Sequence, residues 1–250
     1  MWTREQLKGR AKRMLSLNYW KAFLVSVVIS IITTKSHGKV EKSVSKFTDD
    51  YTIFNNTIFD KLINLTEEFM VFLASIAIIL IILRVIVGYM LEVGGRKFFI
   101  KAAEGETNIG YLGYCFKKGS YFGVLVTMLL RSIYTFLWFL LLIIPGIVKE
   151  YAYSMVPYIL ADNPDIGAER AIQLSNRMTD GEKWDMFVLD LSFIGWYIVG
   201  ALALGIGVLF VNPYVDATKA ELYLTLRKKA IDNRLTSYEE LNIVSFGNDI

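Results

Sequence analysis

Long apolar runs, each interrupted by a single charged residue, limit what this chain can fold into. The runs and their charges are residues 69–91 with Arg84, residues 121–148 with Arg131, and residues 186–211 with Asp190. A helix rises ~1.5 Å per residue and a bilayer core is ~30 Å thick, so ~20 apolar residues suffice to cross it. Of all residues, 54% are hydrophobic, which exceeds the ~45–50% of ordinary soluble domains. We therefore predict an all-α, polytopic membrane protein.

Helix-ending signals divide residues 1–228 into a membrane domain with six transmembrane helices. Gly94-Gly95 is predicted to end the second span, Pro145-Gly146 the third, and residues 205–207 the fifth, because Gly permits chain reversal and Pro cannot continue a helix. Residues 229–250 are predicted to form a cytoplasmic tail. The six spans are predicted at about residues 19–34, 68–93, 120–144, 147–162, 184–204 and 208–226.

Amphipathic interfacial helices are predicted to accompany the spans. Residues 4–18 place Leu7, Ala11 and Leu15 on one helical face and crowd basic residues elsewhere, which suits an anionic membrane surface. A second helix is predicted to begin at residues 163–165 (Asn-Pro-Asp) on the inner side. The outer segment, residues 35–66, also has helical periodicity. It either packs on the protein's own outer surface or contacts a partner or lipid.

The distribution of Lys and Arg predicts the orientation. With the N-terminus inside, 17 of these residues lie in cytoplasmic segments and six lie outside. Cytoplasmic segments of membrane proteins carry an excess of Lys and Arg. We therefore predict a multi-pass protein of the bacterial cytoplasmic (inner) membrane with both termini in the cytoplasm.

Six ionisable residues fall within or near the predicted hydrocarbon layer. They are Arg84, Arg131, Asp190, Asp216, Lys219 and Glu221. Such residues usually face the bundle interior and have a partner. Helical rise places Arg131 and Asp216 at a similar depth near the midplane, so we predict that they pair. The charges then either fix the register of the helices or form a transport route, and the sequence leaves both open.

Two prolines within predicted spans are candidates for helix kinks. Pro157 lies in the fourth span and Pro213 in the sixth. Prolines in membrane helices often mark kinks, and paired kinks can build a cavity in transporters. Ordinary helix packing is the simpler explanation.

Several classes of function are disfavoured by composition. The net charge of +3 fits basic residues that flank membrane spans, so we predict no nucleic-acid partner. With one Cys (Cys115) and one His, a Cys/His metal site within a single chain is excluded. The sequence contains no glycine-rich phosphate loop and no nucleophile elbow. We therefore predict that the protein is not an enzyme and has no cofactor.

Short motifs spread along the chain resemble a bacterial membrane family, the domain of unknown function family 975. The motifs are residues 18–23 (NYWKAF), 143–147 (IIPGI), 155–162 (MVPYILAD), 192–196 (SFIGW), 205–207 (GIG), 212–214 (NPY), 217–218 and 220–227. More loosely, the order of elements resembles the membrane domain attached to some glycerophosphodiesterases. The resemblance implies an inner-membrane location but no reaction, because fold analogy does not transfer activity.

Two functional hypotheses follow from the sequence. The first is a non-enzymatic membrane protein that acts through lipid or protein contacts in envelope maintenance or self-protection. Its partners are anionic lipid headgroups at the basic N-terminal helix and a membrane protein. The alternative is a small transporter or permease component with a site among the buried charges.

Thiol labelling tests the predicted orientation. A cysteine placed at Ser43 should react with an impermeant maleimide in intact cells, because the segment around it lies outside. Cys115 and a cysteine placed at Ser237 should react only after permeabilisation. The opposite labelling pattern would mean that the outer lysines, rather than the 17 other basic residues, set the topology.

Overall fold

The computed structural model describes residues 2–33, 56–117, 120–202 and 207–243 of the chain. Within these residues the secondary structure is helical, with no strand, as the sequence predicts. The helices are α1 (Arg4–Thr33), α2 (Asn56–Ala103), a 3₁₀ helix (Ile109–Gly113), α3 (Tyr114–Lys117), α4 (Tyr121–Leu141), α5 (Ile143–Ala152), α6 (Val156–Asp162), α7 (Ala168–Met178), α8 (Lys183–Leu202) and α9 (Gly207–Asp232).

The chain divides into two units. The larger, called the compact unit below, comprises residues 1–33 and 87–250 and contains the hydrophobic core. The smaller comprises residues 34–86 and is described from Asn56, where α2 begins. Large apolar side chains between Phe69 and Ile86 are exposed in this unit. Residues 35–55 of the predicted outer segment lie outside the described residues.

Helix α1 joins the predicted basic amphipathic helix and the predicted first span in one continuous helix. Leu7, Ala11 and Leu15 are buried, as the helical spacing predicts, and the buried face continues through Ala22 and Val25. This face packs mainly along α9. The burial of small side chains such as alanine permits close approach of two helices.

Helix α2 continues through Gly94-Gly95 to Ala103, so the prediction that these glycines end a helix is wrong. A Cβ atom at Gly94 would overlap the backbone of Leu112, and one at Gly95 would overlap the side chain of Ile29. The two glycines are therefore positions of close approach rather than helix terminators. Because α2 is longer than predicted, Arg96 and Lys97 lie within this helix, in the part that belongs to the compact unit.

Helices α4 and α5 form a hairpin that turns at Leu142, which has an extended backbone. The sequence placed this turn at Pro145-Gly146, but both residues lie in the first turns of α5. Pro is tolerated there because the first N–H groups of a helix have no partner within the helix. Gly146 packs against Phe139, where a Cβ atom would approach the Phe139 Cα atom to 2.9 Å.

The predicted fourth span is broken into two helices, α5 and α6, by a turn at residues 153–155. The Ser175 hydroxyl from α7 satisfies the broken backbone on both sides. It accepts a hydrogen bond from the Met155 N–H (3.2 Å) and donates one to the Ala152 carbonyl (2.8 Å). All seven residues of α6 are buried. The break therefore lies inside protein, which is where irregular backbone is tolerated at membrane depth.

The helical spacing of Ala168, Ala171, Ile172, Ser175 and Met178 predicts one apolar stripe on α7. All of these residues except Ala168 are buried. The predicted start of this helix at residues 163–165 is wrong, because α7 begins at Ala168. The Asn163 side chain instead accepts a hydrogen bond from the Asp165 N–H (2.9 Å) and closes a turn after α6. Asn side chains compete with helix formation in this way.

The predicted C-terminal tail begins inside α9, which extends to Asp232. The turns that follow pack against α7, where the Arg170 guanidinium donates hydrogen bonds to both carboxylate oxygens of Glu240 (2.6 and 2.9 Å). Leu241 is fully buried. Residues 233–243 are thus held within the compact unit by the ion pair with Arg170 and by burial of Leu241.

Cys115 is fully buried in the compact unit. Burial raises the pKa of its thiol to about 11, and only the thiolate reacts readily with maleimides. Burial of Cys115 therefore acts against the labelling after permeabilisation that the sequence predicts. We expect Cys115 to stay unlabelled when cysteines introduced elsewhere are labelled.

Candidate functional site

A cluster of charged side chains joins α1, α2, α4 and α9 inside the compact unit. Arg96 donates a hydrogen bond from Nη1 to Asp216 Oδ1 at 2.8 Å. The Ser26 hydroxyl donates to the other carboxylate oxygen of Asp216 at 2.6 Å. Glu92 lies 3.9 Å from Arg96 and 3.8 Å from Arg131. We call these five residues the Arg96 cluster.

The cluster corrects the predicted pair between Arg131 and Asp216. Asp216 pairs with Arg96, and the ion-pair partner of Arg131 is Glu92. Arg96 is absent from the predicted embedded charges, because a second span that ends at Gly94-Gly95 leaves Arg96 outside the hydrocarbon layer. A Gly-Gly pair is also compatible with close helix packing. That interpretation predicts an unbroken α2 and includes Arg96 among the candidate residues.

A second cluster surrounds Asp162 at the end of α6. Its carboxylate accepts hydrogen bonds from Tyr223 Oη (2.8 Å), Arg227 Nη1 (2.8 Å) and Lys97 Nζ (3.4 Å). Arg227 also donates from Nη2 to Glu104 (2.9 Å). We call these five residues the Asp162 cluster. The side chain of Asp162 is only 3% exposed, so its charge depends on these donors rather than on water.

The surroundings of the Asp162 cluster shift the pKa of Glu104, which lies just beyond the end of α2. Burial alone would raise this pKa, but hydrogen bonds from Lys101 and Arg227 hold it below its usual range. The direction follows from the rule that burial disfavours a charge and a paired opposite charge restores it.

The remaining embedded charges predicted from the sequence lie elsewhere. Lys219 Nζ lies 3.1 Å from Asp190 Oδ1, and Tyr151 Oη donates to Asp190 Oδ2 at 3.1 Å. Arg10 lies 3.8 Å from Glu221, a longer ion pair. Arg84 belongs to the smaller unit, where its side chain is exposed. The six predicted residues therefore do not form one site.

The two candidate kink prolines occupy different helical positions. Pro157 lies in the first turn of α6, directly after the break that separates α5 from α6. Pro213 lies inside the continuous helix α9 and is buried. Only Pro157 thus coincides with an interruption of the helix.

The charged side chains of both clusters pair with one another. Within the described residues, no group of three or more His, Cys, Asp and Glu side chains is placed to hold a metal ion. A cleft of about 570 Å³ lies between the start of α1 and the end of α9, with Trp2, Arg10 and Lys228 in its walls. It does not include a member of the Arg96 cluster.

Comparison with known proteins gives one match. Residues 10–230 match the model of a family described as a protein of unknown function, DUF975. No curated protein and no solved structure matches the chain. The looser resemblance to the membrane domain of glycerophosphodiesterases stays a prediction.

Replacement of Asp162 tests whether its cluster stabilises the fold. Asp162→Asn leaves Lys97 buried beside a neutral group, and removal of one member of a buried pair typically costs ~3–5 kcal/mol. We expect thermal unfolding in one detergent to shift down accordingly. Addition of Lys97→Met to Asp162→Asn should recover part of the loss, because the unpaired cation is then absent.

Asp165→Asn is the matched control for this experiment. Asp165 is exposed, three residues further along the chain, and takes part in none of the ion pairs of the described residues. Its replacement should change stability by no more than ~0.5 kcal/mol. Equal effects of the two substitutions would contradict the role assigned to Asp162.

Proposed function

Since the chain belongs to the DUF975 family of proteins of unknown function, we propose that it acts in the bacterial cytoplasmic membrane through lipid or protein contacts, without catalysis. The contacts would serve envelope maintenance or self-protection. The observation that carries the proposal is the pairing of charges. In the compact unit, each embedded charge predicted from the sequence has a partner of opposite charge.

Membrane residence is supported by helices whose apolar surface is exposed. Helices α4 and α8 are both long and apolar enough to cross a bilayer, and within their most apolar stretches only 17% and 22% of the residues are buried. A core helix of a soluble protein would be mostly buried. Exposed apolar surface of this extent requires lipid or another protein to cover it.

We further propose six membrane crossings, formed by α1, α2, α4, the pair α5–α6, α8 and α9. The fourth crossing is composite, since α5 carries exposed Ile143, Ile144 and Ile147 while α6 is entirely buried. Helices at membrane depth can break where protein surrounds the break. The N- and C-termini would face the cytoplasm.

Lipid contact is supported by exposed basic residues near the start of α1. The side chains of Arg4, Lys12 and Arg13 are exposed there. Further along, Trp20 is 73% exposed, as expected for an aromatic residue at the membrane–water interface. Basic residues followed by an interfacial aromatic residue suit a leaflet rich in anionic lipid.

The break between α5 and α6 and the position of Tyr158 support the transporter alternative. The break between α5 and α6 resembles the discontinuous helices that form substrate sites in transporters, and Tyr158 of α6 lies beside Arg96. A water-accessible cavity that reaches Arg131 would favour this alternative. Ion pairing of Arg131 with Glu92 favours the contact function.

Retained lipid tests the proposed function. We expect the purified protein in mixed micelles to bind phosphatidylglycerol in preference to phosphatidylcholine, as measured by native mass spectrometry. Each basic residue near an anionic surface contributes ~1 kcal/mol. The combined substitution of Arg4, Lys12 and Arg13 by Gln should therefore reduce this preference by up to roughly a hundredfold at low salt.

Arg177→Gln with Arg234→Gln is the control, because both residues are exposed cations away from α1. Its lipid preference should match that of the wild type. Equal retention of the two lipids by the wild type would contradict lipid contact. Equal losses per charge removed in the two variants would show that total charge, rather than the position of the basic residues on α1, sets the preference.

A further inference from the structure

Two buried side-chain atoms lack a hydrogen-bond partner within the described residues, and they belong to side chains that touch. They are Arg96 Nε and Tyr158 Oη. The Arg96 guanidinium carbon lies 5.2 Å from the centre of the Tyr158 ring. Because buried polar groups nearly always have a partner, two adjacent exceptions call for a shared explanation.

The neighbours of both side chains hold these atoms in place. Tyr158 is 3% exposed, and its ring stacks on Tyr223 with the centroids 5.2 Å apart. Arg96 is fixed by its 2.8 Å hydrogen bond to Asp216. Movement of either polar atom to solvent would therefore break a contact described above. The hydrogen-bond partner of these two atoms must therefore lie beside them in the protein interior.

We propose that a water molecule binds between Arg96 and Tyr158. It accepts a hydrogen bond from the Arg96 Nε–H group and forms a second with the Tyr158 hydroxyl, which can donate or accept. Ordered internal water typically occupies such sites, where it satisfies buried polar groups that protein atoms do not reach.

The local charge selects a neutral ligand over an anion. Two donors could in principle bind chloride. However, Arg96 already faces the carboxylates of Asp216 and Glu92, and Glu92 also faces Arg131. The two arginines and two acids balance, so an added anion would be an uncompensated charge in a buried site. Water adds no charge.

The bound water connects the two clusters. Tyr158 contacts the Arg96 cluster through the water and the Asp162 cluster through Tyr223, whose hydroxyl donates to Asp162. Asp162 already gives α6 hydrogen bonds from Lys97 of α2 and Tyr223 of α9, and the water would add a second polar contact between α6 and α2. This site does not depend on the proposed function, since it would stabilise the bundle in a contact protein or in a transporter.

Tyr158→Phe tests the site, because it removes one hydroxyl and keeps the ring. If water bridges the two groups, the substitution leaves Arg96 Nε and the water poorly satisfied. The midpoint of thermal unfolding should then fall by roughly 2–4 °C, a typical shift for one lost contact in a chain of this size. An unchanged or raised midpoint would overturn the proposal, since removal of an unpartnered hydroxyl is neutral or favourable.

Tyr153→Phe is the matched control. Tyr153 is also a buried aromatic residue beside the break, and its hydroxyl forms no hydrogen bond within the described residues. Its midpoint should stay at the wild-type value. A fall equal to that of Tyr158→Phe would overturn the proposal, because it would reflect general sensitivity of the break.

Two further measurements identify the ligand. An experimental structure at a resolution that shows ordered water should contain density within hydrogen-bond distance of both Arg96 Nε and Tyr158 Oη. Absence of such density would overturn the proposal. Replacement of chloride by gluconate should leave the wild-type midpoint unchanged, whereas a chloride-dependent midpoint that disappears in Tyr158→Phe would identify an anion instead.

Discussion

The ion pair between Arg96 and Asp216 holds together helices that are distant in sequence. A charge placed in a helix bundle loses its hydration, and only a well-placed opposite charge with further hydrogen bonds restores that loss. Asp216 of α9 meets Arg96 of α2 at 2.8 Å and Ser26 of α1 at 2.6 Å. One carboxylate thus fixes three helices, and Glu92 extends the contact to Arg131 of α4.

Apolar periodicity was enough to predict the all-helical fold and the buried stripe of α7, because both follow from local spacing. The partner of Asp216 could not be predicted in the same way. A Gly-Gly pair has the same appearance in sequence whether it ends a helix or admits a neighbour. Contacts of Gly94 with Leu112 and of Gly95 with Ile29 decide this, and both are tertiary. Because the predicted second span ended at Gly94-Gly95, Arg96 was not counted among the embedded charges.

The break between α5 and α6 also depends on a tertiary contact that the sequence does not reveal. Pro157 indicated an irregular helix, but Ser175 belonged to the apolar stripe of α7 and gave no sign that it would satisfy the broken backbone. Such a role depends on the packing of α7 against α6. The resulting bundle buries paired charges within a hydrophobic core and exposes apolar side chains on α4 and α8.

A thermodynamic cycle on Arg96 and Asp216 tests the account most directly. Thermal stability would be measured in one detergent for the wild type, Arg96→Met, Asp216→Leu and the double variant. The account predicts that each single substitution destabilises strongly and that the double variant recovers much of the loss, since no buried charge is then unpaired. The same cycle on Arg131 and Asp216 should give weaker coupling. Additive effects for Arg96 and Asp216, within ~0.5 kcal/mol, would contradict the account.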